Sequence, residues 1–145
     1  ASRFACQALE IVDLVDRKGA AGFMRAGAQA ARGEASPIAD PLDGAAAGAD
    51  SSGPLAGVGR LILVQPMWAF TVCPPLRTWL QKHAHELAGR KLGLLTSQFG
   101  TPTRGMVQRF QEEFGPLHAF KAIPERADEA LKDRALEEFF KAMEA

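Results

Sequence analysis

The chain has 145 residues, which suits one domain with one hydrophobic core. Hydrophobic residues make up 47% of it and charged residues 23%, and Lys plus Arg equal Asp plus Glu at 17 each. The zero net charge argues against a nucleic-acid binder, and no apolar run reaches the roughly 18 residues of a membrane helix. Two cysteines without a disulfide framework indicate a cytoplasmic setting, and three histidines without ligand spacing argue against a metal site.

The first half of the chain predicts a strand, a helix and a long loop. Residues 8–14 form a short apolar, β-branched run and predict the strand. Residues 21–32 are rich in Ala and predict the helix, with helical spacing of Phe23, Met24, Ala28 and Ala31. Residues 34–57 hold few large apolar side chains and predict a surface loop. An interdomain linker is the alternative, but 33 preceding residues are too few for a domain, so residues 1–145 are interpreted as one domain.

The second half predicts three units that each consist of a strand and a helix. Residues 60–65, 91–96 and 118–123 predict the strands, the first two buried on both faces. Each of the three helices has an apolar face that is predicted to point inwards. In the first helix this face holds Leu76, Trp79, Leu80, His83 and Leu87, and in the second it holds Met106, Val107, Phe110 and Phe114. In the last helix, predicted over residues 126–144, it holds Leu131, Ala135, Phe139, Phe140 and Met143. Strands that alternate with helices imply an α/β fold with a parallel sheet covered on both faces.

Ligands of such sheets bind outside the carboxyl ends of the strands. The loop after the second predicted strand carries Met67, Trp68 and Phe70, side chains that suit stacking on a flat ring. The alternative is that these side chains only cover the end of the strand.

The loop after the third predicted strand, residues 97–103, carries hydroxyl groups, a glycine and a helix N-cap at Thr101 or Thr103. Such a loop presents backbone N–H groups to the polar edge of a ligand. A turn with a cap and no ligand is the alternative.

Four passages resemble the flavodoxin family, in the family's order. Glu10–Leu14 with the helix around Gly22–Gly27 is similar to its second strand and helix. Trp68 with Pro66, followed by the helix that starts at Pro74, resembles its third-strand loop and helix, and residues 87–96 resemble the passage into its fourth strand. Over residues 8–143, the resemblance implies a flavodoxin-like three-layer sandwich with a mostly parallel sheet, whose first strand is missing from this chain.

In that family the isoalloxazine ring of FMN lies between the loops after the third and fourth strands. The resemblance therefore implies a cofactor site formed by Pro66, Met67, Trp68, Ala69 and Phe70 in the first loop and Ser97, Gln98, Phe99 and Gly100 in the second. Trp68 takes the stacking position, and the backbone amides of residues 98–100 face the pyrimidine side of the ring. No catalytic side chain is implied, because the flavin performs the redox chemistry.

Two departures from the family pattern stand out. Val64 and Gln65 replace a glycine and a small hydroxyl residue before the loop, which is expected to crowd a ring. The family's N-terminal strand and Ser/Thr/Gly phosphate loop have no counterpart, since residues 2–7 resemble at most the end of the first helix and residues 50–53 precede a strand. Three arrangements would fill the gap: further residues before Ala1, direct pairing of residues 8–14 with residues 60–65, or a strand from a second chain in a homodimer.

Other polar residues carry weaker signals. Cys73 precedes a helix N-terminus and is either a reactive thiolate or, on general grounds, a buried inert thiol. His83 and His85 point to different faces of a helix, so they do not form a metal pair. Two interpretations are open for Arg77, Arg104 and Arg109: they bind the phosphates of a nicotinamide cofactor, or, as is usual for arginine, they are solvated surface residues.

The resemblance implies an FMN-binding redox protein, either an electron carrier or a small NAD(P)H-dependent quinone or flavin reductase, and whether it is an enzyme stays open. NAD(P)H or a redox protein is the expected partner, and the neutral charge favours the carrier less. The alternative is a non-catalytic flavodoxin-fold module that binds no flavin and acts through oligomer or partner contacts. A hydrolase or transferase with another doubly wound fold is less well supported, because the sequence contains neither a nucleophile elbow nor a Walker-type phosphate-binding loop.

Overall fold

A computed structural model describes residues 6–43, 55–99 and 103–145 of the chain. The described elements are, in chain order, β1 (Val12–Asp13), α1 (Gly19–Ala31), β2 (Ile38–Ala39), β3 (Arg60–Pro66), α2 (Pro74–Lys82), α3 (Ala84–Leu87), β4 (Lys91–Gln98), α4 (Arg104–Phe114), β5 (Ala119–Pro124) and α5 (Glu129–Glu144).

The three strands β3, β4 and β5 form a parallel sheet in that spatial order. The whole of β3 pairs with β4, from Arg60↔Lys91 to Pro66↔Ser97. The predicted α/β arrangement with a parallel sheet is confirmed for this part of the chain, since each strand is joined to the next through a helix. A right-handed crossover is the usual form of such a connection.

Helices cover both faces of this sheet because β4 alternates its side chains between two cores. Leu92 and Leu94 belong to the larger core with residues of α2 and α4. Leu95 packs on the other face with Phe139 and Met143 of α5. Gly93 lies on that face too, where an added Cβ would lie 2.5 Å from Met143 Sδ. The absence of a side chain at Gly93 therefore allows α5 to approach the sheet closely.

The predicted strand over residues 8–14 is wrong in its extent and in its pairing. Only β1 is a strand, and it pairs antiparallel with β2 from the predicted loop. The backbone N–H of Leu14 donates to the carbonyl of Pro37 at 3.0 Å, which extends the contact by one bond. Direct pairing of residues 8–14 with β3 is not observed, because β1 and β3 belong to separate sheets.

The helix predicted over residues 21–32 is present as α1, but the large apolar residues whose spacing indicated it are not the buried ones. Phe23 and Met24 are 66% and 69% exposed, whereas Gly22, Ala26 and Ala30 are buried. A Cβ on Gly22 would lie 2.3 Å from the backbone carbonyl carbon of Arg17, so a larger residue does not fit there. At Gly22, therefore, the helix is limited to the smallest residue by the backbone packed against it.

The remaining helices follow the predicted patterns with three corrections. α5 begins at Glu129 rather than residue 126, since the Oδ1 atom of Asp128 accepts the N–H of Leu131 at 2.8 Å and caps the helix. Leu131, in the first turn of α5, was expected to be buried and is 56% exposed. The helix after β3 is divided at His83 into α2 and α3.

A polar cluster, formed by the buried Asp40 and His83 together with Glu86 and the exposed Lys82, ties the segment after α1 to the junction of α2 and α3. The Nε2 atom of His83 lies 2.8 Å from Asp40 Oδ2, and its Nδ1 atom lies 2.8 Å from Glu86 Oε1. Lys82 Nζ lies 2.8 Å from the same oxygen of Asp40. Residues 36–43 were predicted as part of a surface loop, and this cluster fixes them to the core instead.

The outer edge of β3 has no strand partner among the described residues. The backbone N–H and C=O groups of the odd-numbered residues of β3 point to β4. The hydrogen bonds just outside the two ends of β3 show this, because Lys91 N donates to Gly59 O and Met67 N donates to Ser97 O. The N–H groups of Ile62 and Val64 consequently point to the outer edge. The side chain of Val64 lies on the α5 face, beside Leu95, and is 71% exposed. Along the described part of the chain, no helix is long and apolar enough to cross a bilayer.

Candidate functional site

The two predicted ligand loops lie side by side at the carboxyl edge of the sheet. Pro66 and Ser97 are the last paired residues of β3 with β4, and the N–H of Met67 donates to the carbonyl of Ser97 at 2.9 Å. We call the space framed by residues 66–70 and 97–99 the strand-end crevice. Gly100, the ninth residue predicted for this site, lies outside the described residues.

The first loop contains a strained turn. The N–H of Thr71 donates to the carbonyl of Trp68 at 3.1 Å, and the two residues between them have positive φ, 48° at Ala69 and 60° at Phe70. Two consecutive left-handed residues define a type I′ turn, which normally contains Asn and Gly. Alanine and phenylalanine in these positions cost roughly 1 kcal/mol or more each, and strained residues of this kind concentrate at functional sites.

Gln65 holds this turn in place from the core. Its side chain is buried, accepts the N–H of Cys73 at 2.8 Å and donates to the carbonyl of Thr71 at 3.4 Å. The sequence suggested that Gln65 crowds a ring, but the structure turns this side chain into the core beneath the loop. No pattern in the sequence signals this role, because the two bonds depend on the folded path of the loop.

Aromatic side chains of both loops are open to solvent. Phe70 is 45% exposed and Phe99 is 75% exposed, while Met67 and Trp68 are half-buried. The alternative for the first loop, that Met67, Trp68 and Phe70 only cover the strand end, agrees with Met67 and Trp68, which pack partly against the larger core. The exposed side chain of Phe70 covers less of it.

The second loop contains a buried oxygen with no hydrogen-bond partner. The backbone carbonyl of Gln98 accepts the N–H of Glu125 at 2.9 Å, and the hydroxyl of Ser97 donates to Glu125 Oε1 at 3.4 Å. The side-chain Oε1 of Gln98 is buried and finds no donor among the described residues. A buried acceptor without a partner costs about 1–3 kcal/mol.

Arg17, which sequence reasoning did not select, lies over the ring of Trp68. Its Cζ atom is 5.7 Å from the ring centroid, a cation–π distance. Arg17 follows the predicted strand over residues 8–14, and the rule that selected the other two loops applies to this loop as well. The signal was therefore present in the sequence, but a basic loop residue is usually solvated.

Cys73 and Thr103 do not take the chemical roles considered for them. Burial raises the pKa of the Cys73 thiol to about 11, so the thiol stays protonated at neutral pH and the inert alternative is favoured. Thr103 occupies the N-cap position of α4, but its side chain makes no capping hydrogen bond.

Arg77 and Arg109 line one open cleft of about 520 Å³ between α1, α2 and α4. Arg77 is buried, pairs with Glu113 and donates to the Thr71 hydroxyl at 3.1 Å. The surface alternative for Arg77 is therefore wrong. The charge of Arg77 is already compensated by Glu113, and Arg32, which also lines the cleft, pairs with Glu34.

The described residues contain no group of three or more acidic, His or Cys side chains able to hold a metal ion. Comparison with known proteins found no matching family model, curated protein or solved structure. The structure thus shows an α/β protein with a parallel sheet in which the two strand-end loops lie side by side, and the function is inferred from these loops.

Proposed function

We propose that the protein is a flavodoxin-like, FMN-binding redox protein, either an electron carrier or a small NAD(P)H-dependent quinone or flavin reductase. The strand-end crevice carries the proposal. Two neighbouring strand ends are joined there by the bond from Met67 to Ser97, and aromatic side chains of both loops are exposed beside it. Crevices at the carboxyl ends of parallel strands are the usual ligand sites of α/β proteins.

The described residues fit the ring of a flavin. The isoalloxazine ring is flat and largely apolar on its faces, and its pyrimidine edge carries carbonyl oxygens and an N–H group. Trp68, Phe70 and Phe99 suit the faces of such a ring, and the unpartnered Oε1 of Gln98 suits its N–H group. The described residues of the two loops contain no Ser/Thr/Gly loop that would bind the phosphate. The structural support for the proposal therefore concerns binding of the flavin ring and not of the phosphate.

When bound, the flavin supplies the transfer of hydride or of single electrons. The chain's own residues bind and orient the ring. The strained turn at Ala69 and Phe70 presents the Phe70 ring at the surface, and Gln65 keeps that turn from relaxing. The exposed aromatic rings exclude water from the ring faces, which strengthens the polar contacts at its edge.

The proposal is tested by titrating the purified protein with FMN and with riboflavin, following flavin absorbance and fluorescence. We expect saturable binding of both, with quenched flavin fluorescence. A protein that takes up neither flavin would overturn the proposal and leave the non-catalytic module as the alternative.

A matched pair of variants locates the bound ring. Phe99→Ala removes an exposed aromatic side chain from the crevice, and Phe23→Ala removes one of similar exposure from α1. We expect Phe99→Ala to weaken riboflavin binding about tenfold and Phe23→Ala to leave it unchanged. Equal affinities in the two variants would place the flavin elsewhere.

The carrier and the reductase differ in their need for a nicotinamide. Mixing the FMN-loaded protein with NADPH or NADH and a quinone distinguishes them, because only a reductase consumes the nicotinamide at a rate that depends on the protein. Arg109→Glu is the informative variant, since Arg109 lines the cleft and forms no ion pair with the described residues. Loss of nicotinamide consumption without loss of flavin would support the reductase.

A further inference from the structure

Arg17 is fixed beside the strand-end crevice. Its side chain is only 12% exposed, and its guanidinium group lies over the ring of Trp68. One contact of this kind at the surface would be unremarkable, because arginine side chains often rest on aromatic rings. Arg17 differs from such surface contacts because its side chain is held by several partners and one of its guanidinium nitrogens has no hydrogen-bond partner among the described residues.

Three contacts hold Arg17. Its Nε atom pairs with the carboxylate of Asp13, and its Nη1 atom donates to Gln29 Oε1 at 2.6 Å. Its backbone is pressed against α1, where a Cβ on Gly22 would lie 2.4 Å from the Arg17 carbonyl oxygen. The guanidinium group is therefore positioned before any ligand arrives, which reduces the entropy that a ligand contact costs.

The Nη2 atom of Arg17 is buried and has no hydrogen-bond partner among the described residues. A buried donor on a charged group is costly when unpaired, and a mobile arginine would turn it towards water. The contacts with Asp13 and Gln29 prevent that movement. A fixed, charged and unsatisfied donor beside an aromatic ring suits an oxygen acceptor on a ligand that contacts that ring.

We propose that Arg17 recognises a carbonyl or anionic oxygen on the edge of the flat ligand that binds in the strand-end crevice. The inference rests on the proposed function and deepens it, because it assigns to Arg17 the recognition of the ring rather than of the phosphate. A fixed positive charge at the ring edge also favours the more negative, reduced form of a bound flavin.

The test compares the whole protein with Arg17→Gln, Arg17→Lys and the control Arg25→Gln, which changes an exposed arginine on α1. Riboflavin is the probe because it has the ring without the phosphate. We expect Arg17→Gln to weaken riboflavin binding about tenfold, Arg17→Lys to weaken it less, and Arg25→Gln to change nothing. Thermal unfolding of each variant shows whether it remains folded, and Arg17→Lys keeps a cation near Asp13 if the glutamine variant unfolds.

A second readout separates recognition from a merely structural role. The midpoint potential of the bound flavin should fall in Arg17→Gln and stay nearer the wild-type value in Arg17→Lys. Wild-type riboflavin affinity in both Arg17 variants would overturn this inference and leave the proposed function intact. A wild-type protein that binds neither riboflavin nor FMN would overturn both.

Discussion

The polar cluster around His83 and the strand-end crevice differ in whether their buried polar atoms have hydrogen-bond partners. In the cluster, both ring nitrogens of His83 face carboxylates, Asp40 Oδ1 accepts the N–H of Leu42 at 2.9 Å, and Glu86 Oε2 accepts the N–H of Leu55 at 3.4 Å. In the crevice, Arg17 Nη2 and Gln98 Oε1 are buried without partners, and the adjoining turn is strained.

The difference separates residues that hold the fold from residues that are available to a ligand. A satisfied buried network stabilises one arrangement of the chain and has nothing left to offer. Single unpaired buried atoms also occur elsewhere, at Ser36 and Trp79 for example. The crevice is distinguished because unpaired atoms, left-handed residues and exposed aromatic rings meet there, each at a cost to stability.

The largest effect is expected from breaking the cluster. Asp40→Ala removes a carboxylate whose side chain is 1% exposed and leaves the buried His83 without one of its partners. We expect a loss of about 3 kcal/mol in the free energy of unfolding, measured with urea. Asp43→Ala is the control, because Asp43 also pairs with Lys82 but is 66% exposed, and its loss should cost at most about 1 kcal/mol. Similar losses in the two variants would mean that the cluster does not hold the fold.

Acid should weaken the same cluster. Burial alone would raise the pKa of Asp40, but hydrogen bonds from Lys82, the Leu42 backbone and His83 outweigh it and lower that pKa from 3.8 to about 2. The hydrogen bond from His83 likewise lowers the pKa of Glu86. A carboxyl group with a depressed pKa stabilises the fold above its unfolded pKa, and this contribution is lost as the pH falls through the folded value.

For Asp40 the window runs from about pH 4 down to about pH 2, and the contribution is about 2 kcal/mol. Urea unfolding across this range should show a smaller loss of stability in Asp40→Asn than in the wild type. Parallel curves for the two proteins would contradict the assignment.

The crevice should respond in the opposite direction. Gln98→Leu replaces an unpaired buried acceptor by an apolar group of similar shape, so the free energy of unfolding should be unchanged or rise by about 1 kcal/mol. Riboflavin affinity should fall in the same variant. A clear loss of stability would show that Oε1 of Gln98 has a partner in solution.

The smallest effect is expected from relaxing the turn. Ala69→Gly permits the observed φ of 48° without a side-chain clash and should stabilise the protein by about 0.5–1 kcal/mol, after the entropy of the unfolded glycine is subtracted. Ala56→Gly is the control variant, because Ala56 is exposed and lies outside the turn that contains Ala69. If Ala69→Gly does not unfold at a higher denaturant concentration than the wild type, the turn is not strained in solution.

The sequence predicted the strands and helices of the second half well, because continuous apolar runs and helical spacing are strong signals there. It missed the pairing of β1 with β2, since strands of two residues have no periodicity and their pairing is decided by contacts distant in sequence. It did not indicate that α1 buries Gly22, Ala26 and Ala30, because Phe23 and Met24 dominate the hydrophobic pattern of this helix, and the close approach of the Arg17 backbone to Gly22 arises only on folding.

The same limit applies to the candidate site. The position of both loops followed from the rule for parallel sheets, and eight of the nine predicted residues lie within the described part of the chain. The sequence places Arg17 in a loop after a predicted strand, but it does not show the partners of Arg17 or of Gln65. Folding alone brings Trp68 and Gln29 to Arg17, and the backbone of Thr71 and Cys73 to Gln65.

The unpaired outer edge of β3 has a consequence for how its amides meet water. The N–H groups of Leu61 and Leu63 point to β4, whereas those of Ile62 and Val64 point away from it. Deuterium from the solvent should therefore replace every second amide hydrogen of this one strand quickly and the others slowly. Such an alternation within a strand is a direct reporter of the edge, since any added strand would slow exchange at Ile62 and Val64 alone.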